Sequence, residues 1–469
     1  MLEFMDTILC KKKALTVLMY ERLHRLLHKV EIDRAVFFGI VARVWSVIAG
    51  PLTALLITIK FTPEYQGYYY TFASLLAMQI FVELGLGTVI IQFASHEWSK
   101  LRIAEDGSVS GDNRSLSRLS SLANITVKWY LVGGIIVAFG LGFGGYSFFL
   151  HSRSFSVSWS WQWFTLCFLT GITICLIPVW SLLEGCNQVS ALYTYRFIQG
   201  IVSSLAIWIA ILTGAKLWSA SISVAAAILC GVIFIKYKYL KFIKSLLFAK
   251  FSDSHIDWRK EIFPMQWRIA LSWMSGYFVF SFFTPVLFRY QGPVIAGQFG
   301  MTWSVVGAIG GIAGSWLSPK VPQFGMLIAR KEYQKLDLLF RRTTKIFIFI
   351  ALSLSVVVWL LIYLLNLAGH PISQRILSPM AAGIFLTAQV ISTLSLPLAA
   401  YLRAHKKEPL LWLSILSGIL TGMCTFILGK RYGVLGIAVS YLAVNLLVTP
   451  FVAVIWYYCR KQWHTDVPL

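Results

Sequence analysis

Along most of this chain apolar residues run for twenty or more positions with little interruption, and the polar residues collect in short segments between the runs. A run of that length crosses bilayer hydrocarbon as a helix at about 1.5 Å per residue, and the lack of strict alternation argues against membrane strands. The pattern predicts twelve spans, at 35–59, 67–92, 129–150, 161–183, 190–213, 216–235, 269–288, 294–318, 346–366, 380–401, 409–429 and 433–457. Numbered 1 to 12 in that order, they predict an all-α polytopic membrane protein.

The pattern repeats at half the length of the chain. Residues 94–101 read ASHEWSKL and residues 329–336 read ARKEYQKL, 235 positions apart in a chain of 469. Arg34 and Pro51 of span 1 have counterparts at an offset of 234 in Arg268 and Pro285 of span 7. Span 2 carries the glycine-rich ELGLG and span 8 carries GAIGGIAG. Spans 4 and 10 share a weaker echo, PVWSLLEG and PLAAYLRA, whose offset of 219 fits an insertion in the Ser-rich loop EDGSVSGDNRSLSRLSS. Six helices return the chain to its starting side, so the halves are parallel repeats, two six-helix lobes around a central cavity. The divisions read as a basic amphipathic segment 1–34, an N-lobe 35–235, an inner connection 236–268, a C-lobe 269–457 and a tail 458–469. A proline removes one helical hydrogen bond, so Pro51 and Pro285 mark matched hinge positions.

Charge then orients the chain. Hydrophobic residues make up 58% and charged residues 13%, yet the net charge is +22. With the N-terminus inside, 33 Lys and Arg fall on inner segments and 7 on outer loops, and Arg43 lies within a span. The asymmetry is the positive-inside rule, so the basicity reports orientation and contact with anionic lipid, and nucleic acid is not an expected partner. Both termini are expected to be cytoplasmic, which topology reporters fused to each end would check; a C-terminal reporter on the outer side would mean that one span has been miscounted. Aromatic residues at outer ends, Tyr68, Tyr69 and Tyr70 with Trp159, Trp161 and Trp163, fit an interfacial belt. Residues 1–34 hold KKK and LHRLLHKV, with no apolar run leading to a small-residue cleavage site, and read as an interfacial helix. None of the seven cysteines falls in an outer loop, and their spacing matches no metal site.

Arg43 carries the candidate chemistry. It lies about eight residues inside span 1, roughly 12 Å along the axis, which is deep for a side chain that snorkels. An intramembrane Arg faces protein or a wet cavity, and Gly39, Ser46 and Gly50 share its small or polar face. Span 2 offers Thr71, Gln79, Glu83 and Gly87 at helical spacing, and in an antiparallel hairpin Glu83 comes within reach of Arg43. A buried ion pair that fixes packing and a site for a ligand are both consistent with this. At the repeat offset Arg43 corresponds to Tyr277, and span 8 holds no acid. The scaffold is duplicated and the charges are not, which points to a ligand. Arg196 shares a face with Gln199 and Ser203; it lines the cavity, pairs with Glu184 or anchors the inner interface. Arg289, at the outer end of span 7, is a late phosphate contact or an interfacial anchor. Trp273, Tyr277, Phe280 and Thr284 form a face that stacks on sugars, packs on protein or meets lipid. No nucleotide-binding loop, Ser/His/Asp set or HExxH motif occurs, and no enzyme is expected.

The stretch GYYYTFASLLAMQIFVELGLGTVIIQFASHEWSKL, the paired prolines and the LLEG and YLRA helix ends resemble the polysaccharide flippases of the multidrug/oligosaccharidyl-lipid/polysaccharide exporter superfamily. The resemblance implies a bacterial cytoplasmic-membrane flippase. Such a protein moves polyprenyl-diphosphate-linked oligosaccharide, of the undecaprenyl type, to the outer leaflet by alternating access, for O-antigen, capsule or exopolysaccharide assembly. It implies membrane lipids and other polysaccharide-assembly proteins as partners and no cofactor; coupling to a proton or sodium gradient stays open, with Glu83 as carrier. By the same resemblance Arg43 meets the diphosphate; Glu83, Gln79, Arg196 and Arg289 are further cavity candidates by their positions in the spans. Two other classes compete. An ion-coupled multidrug exporter would present an acid as the dominant cavity charge, and a membrane-embedded polymerase or glycosyltransferase would need a sizeable outer loop, where the longest here is about a dozen residues.

Overall fold

The computed structural model describes residues 34–150, 157–248, 256–405 and 407–465. Among them ten helices are long and apolar enough to cross a membrane, and the bent pair Pro63–Glu83 and Leu86–Trp98 forms an eleventh span. The last helix, Leu411–Thr465, supplies the twelfth, because Gly433 (φ 62°, ψ −140°) breaks it. A methyl on Gly429 would meet the Ile437 side chain at 2.9 Å, whereas a straight helix separates residues eight apart by about 12 Å. The chain therefore reverses at Gly433, and the positive φ is why a glycine stands there.

The hydrophobic pattern finds the membrane portion of each helix and misses the turns that continue beyond it. Span 3 starts at Asn113, where the Asp112 side chain accepts from Ser115 N–H at 2.9 Å and caps the helix. Span 6 continues to Leu247, span 8 to Ala329, and span 9 begins at Tyr333. These polar extensions all lie on the cation-rich side, the one that the charge bias expects to face inward. The interfacial helix expected in 1–34 falls on residues outside those described, save for Arg34 at the start of span 1, and the expected tail from 458 is helical as far as Thr465.

The Ser-rich inner loop, expected to hold an insertion, contains a β-hairpin. Leu101–Ile103 pairs antiparallel with Val109–Gly111 around an Asp-Gly turn, in which Ser108 N–H and Oγ donate to Asp106 Oδ1 at 3.0 and 2.7 Å. These two hydrogen bonds hold the Asp106 carboxyl below its ordinary pKa. Ser245, on the amphipathic end of span 6, accepts from Val109 N–H at 3.1 Å, and Phe242 and Leu246 pack into the core beside Leu101 and Val109.

Helix packing repeats as the sequence does. In the N-lobe spans 1 and 5, 2 and 3, 2 and 4, 3 and 4, and 5 and 6 pack together; in the C-lobe so do 7 and 11, 8 and 9, 8 and 10, 9 and 10, and the hairpin of 11 and 12. Between lobes, 1 meets 8, 2 meets 7, and 2 meets 8, each mapped onto another or itself by exchange of the halves. The two octapeptides fall at the inner ends of spans 2 and 8, where the chain turns toward the next helix. In each the Glu is paired: Glu97 with Arg118 at 2.7 Å, and Glu332 with Lys335 at 2.8 Å.

Candidate substrate pathway between the lobes

The lobes are sealed on the outer side by small residues. On span 2, Gly67 lies so close to span 8 that a Cβ there would overlap the carbonyl of Pro293, and a Cβ on Gly297 would come within 2.8 Å of Gly67 N. Close backbone approach through glycines is how membrane helices gain packing without a hydrophobic driving force. Gln66 donates to Gly297 O and to Arg375 O, both at 2.9 Å, and Arg375 reaches from the loop between spans 9 and 10 to Phe61 O at 2.7 Å. Arg375 Nη1 is buried without a hydrogen-bond partner among the described residues. Burial lowers the Arg375 pKa, with Glu64 acting in the opposite direction, and a guanidinium so placed stays charged. One aromatic cluster crosses the boundary, with Tyr68, Phe72, Phe149 and Trp163 on one side and Phe283, Phe288, Phe299 and Phe385 on the other.

Both sequence-flagged prolines lie in helix 1 of their lobe, with different outcomes. Span 1 stays helical through Pro51. Span 7 is interrupted at Ser281 and Phe282, so Phe263–Phe280 and Phe283–Gln291 are separate helices. Pro285 has no N–H for Ser281 O, the acceptor four residues earlier, and the Ser74 hydroxyl of span 2 donates to that carbonyl across the lobe boundary. Ser74→Ala would orphan it at a cost of about 1–3 kcal/mol to the outward-closed form. Greater labelling from outside of a cysteine placed at Gly307 is the expected result; unchanged labelling would show that this bond does not hold the seal.

Toward the inner side the lobes part. The inner cores are separate: Leu86, Ile90, Tyr130 and Leu182 belong to one, Leu317, Phe324, Phe340 and Tyr401 to another. The start of span 7 stays with the N-lobe, through Ile262 in its core and Glu261, which accepts from Arg118 at 2.6 Å. On span 8 the stripe Gly297, Gly300, Ser304, Gly307, Gly311 and Ser318 is buried at its first two positions and exposed at Ser304, Gly307, Gly311 and Ser318. Span 1 shows the same change along Arg43, Gly50, Ala54 and Thr58. Ala54 and Thr58 are buried, with Thr58 on Met301 of span 8 at 3.2 Å, whereas Gly50 and Arg43 are exposed. Arg43 thus lies on the stripe that faces span 8. The opposite face is occupied by span 5, through Trp45 to Ser204 at 3.2 Å and Trp208 to Thr53 at 2.8 Å.

Glu83 is not beside Arg43. It is half-buried at the end of the outer part of span 2, just before the break made by Leu84 and Gly85, both at positive φ. A Cβ on Gly87 would lie 3.5 Å from Glu83 Oε1, 3.2 Å from Ser181 Oγ and 3.6 Å from Ile177 Cγ2, which places the carboxylate toward span 4. No ion pair joins it to Arg43 among the described residues; the expected reach rested on depth alone, and the 44° bend of span 2 accompanies a different facing. Gln79 sits half-buried in the 3-10 turn Ala77–Gln79 of the same span. Arg196 pairs with Glu184 at 2.9 Å and lies over Tyr193. Arg289 is exposed at the outer end of span 7. The aromatic face expected of span 7 is divided: Tyr277 is buried against Phe81 and Phe282, Trp273 is half-buried near Gly85, and Phe280 is exposed. Sequence reasoning missed Gln66 and Arg375, which close the outer side; a cation in a short outer loop was the one signal for the latter.

No protein-family model and no curated protein matches the chain. Among solved structures, an inward-facing multidrug resistance transporter of the MATE family, in the MOP superfamily, aligns with a TM-score of 0.63 at 12% identity, over 92% of this chain and 96% of that one. An outward-facing MATE family transporter aligns at 0.51 and 12% identity, over 93% and 98%. The lipid II flippase MurJ, in an inward closed conformation, aligns at 0.56 and 15% identity, over 89% and 86%. The likeness is one of fold: this multi-pass membrane protein is built as the MOP-superfamily transporters of known structure are.

Proposed function

We propose that the chain is a transporter that carries a polyprenyl-diphosphate-linked oligosaccharide from the inner to the outer leaflet by exposing the cleft to each side in turn. The observation that carries this reading is Arg43, an exposed guanidinium on the cleft-facing stripe of span 1 with no acidic partner among the described residues. A guanidinium offers a fork of donors that fits phosphate oxygens and cannot lose its proton. The exposed glycines and serines of span 8 opposite it leave room for a bulky headgroup. Moving negative charge outward from a negative interior gains about 2.3 kcal/mol per charge per 100 mV, so a diphosphate is driven without ATP.

A multidrug exporter is the second reading, favoured by the fold shared with the MATE transporters. It would draw on an acid in the cleft, and Glu83, the acid in the middle of span 2, is turned toward span 4. Glu83 remains the candidate carrier if a proton or sodium gradient is coupled. The location that goes with this function is the inner membrane, with both termini cytoplasmic as the charge bias supports. Removal of the protein from its cell should leave a lipid-linked saccharide accumulating on the inner leaflet. Heightened sensitivity to cationic drugs with no such accumulation would favour the exporter.

A further inference from the structure

A second lipid-facing site lies away from the cleft, in a groove of about 490 Å³ between spans 5 and 6. Its polarity is graded along the membrane normal. Asn187, just before span 5, and Ser190 and Thr194, from its first turns, line it at the inner end together with Lys238 in the inner extension of span 6. Ile198 and Ile233 line it deeper in the membrane, and their exposures of 49% and 47% mean that the groove opens to the bilayer. The 24-residue helix Val189–Leu212 starts at this inner end with no side chain capping its first N–H groups, so its positive dipole end belongs to the same end of the groove as Lys238, whose ammonium lies 5.7 Å from the centre of the Tyr239 ring. In the wall, the Tyr195 side chain is 4% exposed and its hydroxyl has no hydrogen-bond partner among the described residues.

We infer that this groove holds one anionic phospholipid of the inner leaflet, its phosphate between Lys238 and the start of the span 5 helix and an acyl chain along Ile198 and Ile233. The occupant follows from the gradient: a cation, a helix N-terminus and hydroxyls at the level of the headgroups, and an apolar wall open to lipid below them. The site is independent of what the cleft carries.

The test uses the full chain, purified in detergent with equal amounts of phosphatidylglycerol and phosphatidylcholine, and reads retained lipid by native mass spectrometry. The unaltered protein should keep one phosphatidylglycerol in preference to phosphatidylcholine. Lys238→Gln should lower that preference about fivefold, the weight of one lysine at a membrane surface. Ile233→Trp, which fills the apolar part at a lipid-exposed position, should lower retention itself. Lys241→Gln, on the same helical extension outside the groove, should change neither. Equal retention of the two lipids by the unaltered protein, or retention by Lys238→Gln and Ile233→Trp at the unaltered level, would overturn the site.

Discussion

Arg43→Ala should abolish outward movement of the lipid-linked saccharide while protein level and membrane insertion stay near normal. The side chain is exposed and holds no acid, so its removal leaves no buried charge unpaired and costs the fold little. What is lost is a forked contact to phosphate, in which each charge-assisted hydrogen bond contributes about 1.5–3 kcal/mol, roughly ten- to more than a hundredfold in rate or occupancy. Arg43→Lys keeps the charge without the planar fork and should retain part of the activity. Glu83→Gln should cost less. Since no ion pair joins the two side chains in this structure, the loss in the double variant should be close to the sum of the single losses. A drop in folded protein on Arg43→Ala, rescued by Glu83→Gln, would instead mean that the pair exists and holds the fold.

The second large effect is expected at the outer seal. Gly67→Val places side-chain atoms where the Pro293 carbonyl now lies, a backbone contact that cannot swing aside. Overpacking of this kind costs about 1–3 kcal/mol or more, and the chain escapes it by opening the outer side. The variant should therefore insert and fold yet transport at less than about a tenth of the normal rate, a loss that corresponds to about 1.4 kcal/mol in the balance of the two forms. A cysteine at Gly307 should become reactive from outside in this background. A normal transport rate in Gly67→Val would show that spans 2 and 8 do not close the pathway.

The hydrophobic runs made the spans legible, because length against bilayer thickness is a property of sequence alone, and the half-chain echo made the paired lobes legible. The break in span 7 was signalled by Pro285, four residues after the carbonyl it frees. The break at Leu84 and Gly85 had only the glycines of ELGLG to announce it, and Leu84 adopts its left-handed conformation without being one. Depth along an axis could be read for Arg43 and Glu83; direction around the axis could not. For Arg43 that direction comes from Trp45 seated on span 5 and Thr58 on span 8, and for Glu83 from packing around Gly87. Arg375 looked like any outer cation, since its partners, Phe61 O and Gln66, lie about three hundred residues away in sequence. The hairpin at 101–111 was hidden by its serines, although its Asp-Gly pair was present to be read.

The most direct measurement places the purified protein in sealed vesicles whose inner leaflet alone carries a polyprenyl-diphosphate-linked saccharide, and follows the saccharide's exposure to a sugar-cleaving enzyme added outside. Vesicles with the unaltered chain, oriented with its inner side facing the lumen, should expose the saccharide faster than protein-free vesicles, and faster still with the lumen electrically negative. Vesicles with Arg43→Ala should match the protein-free rate. Exposure at the protein-free rate with the unaltered chain, together with transport of a cationic dye that Arg43→Ala leaves intact, would contradict the assignment of the cleft to a diphosphate-linked lipid.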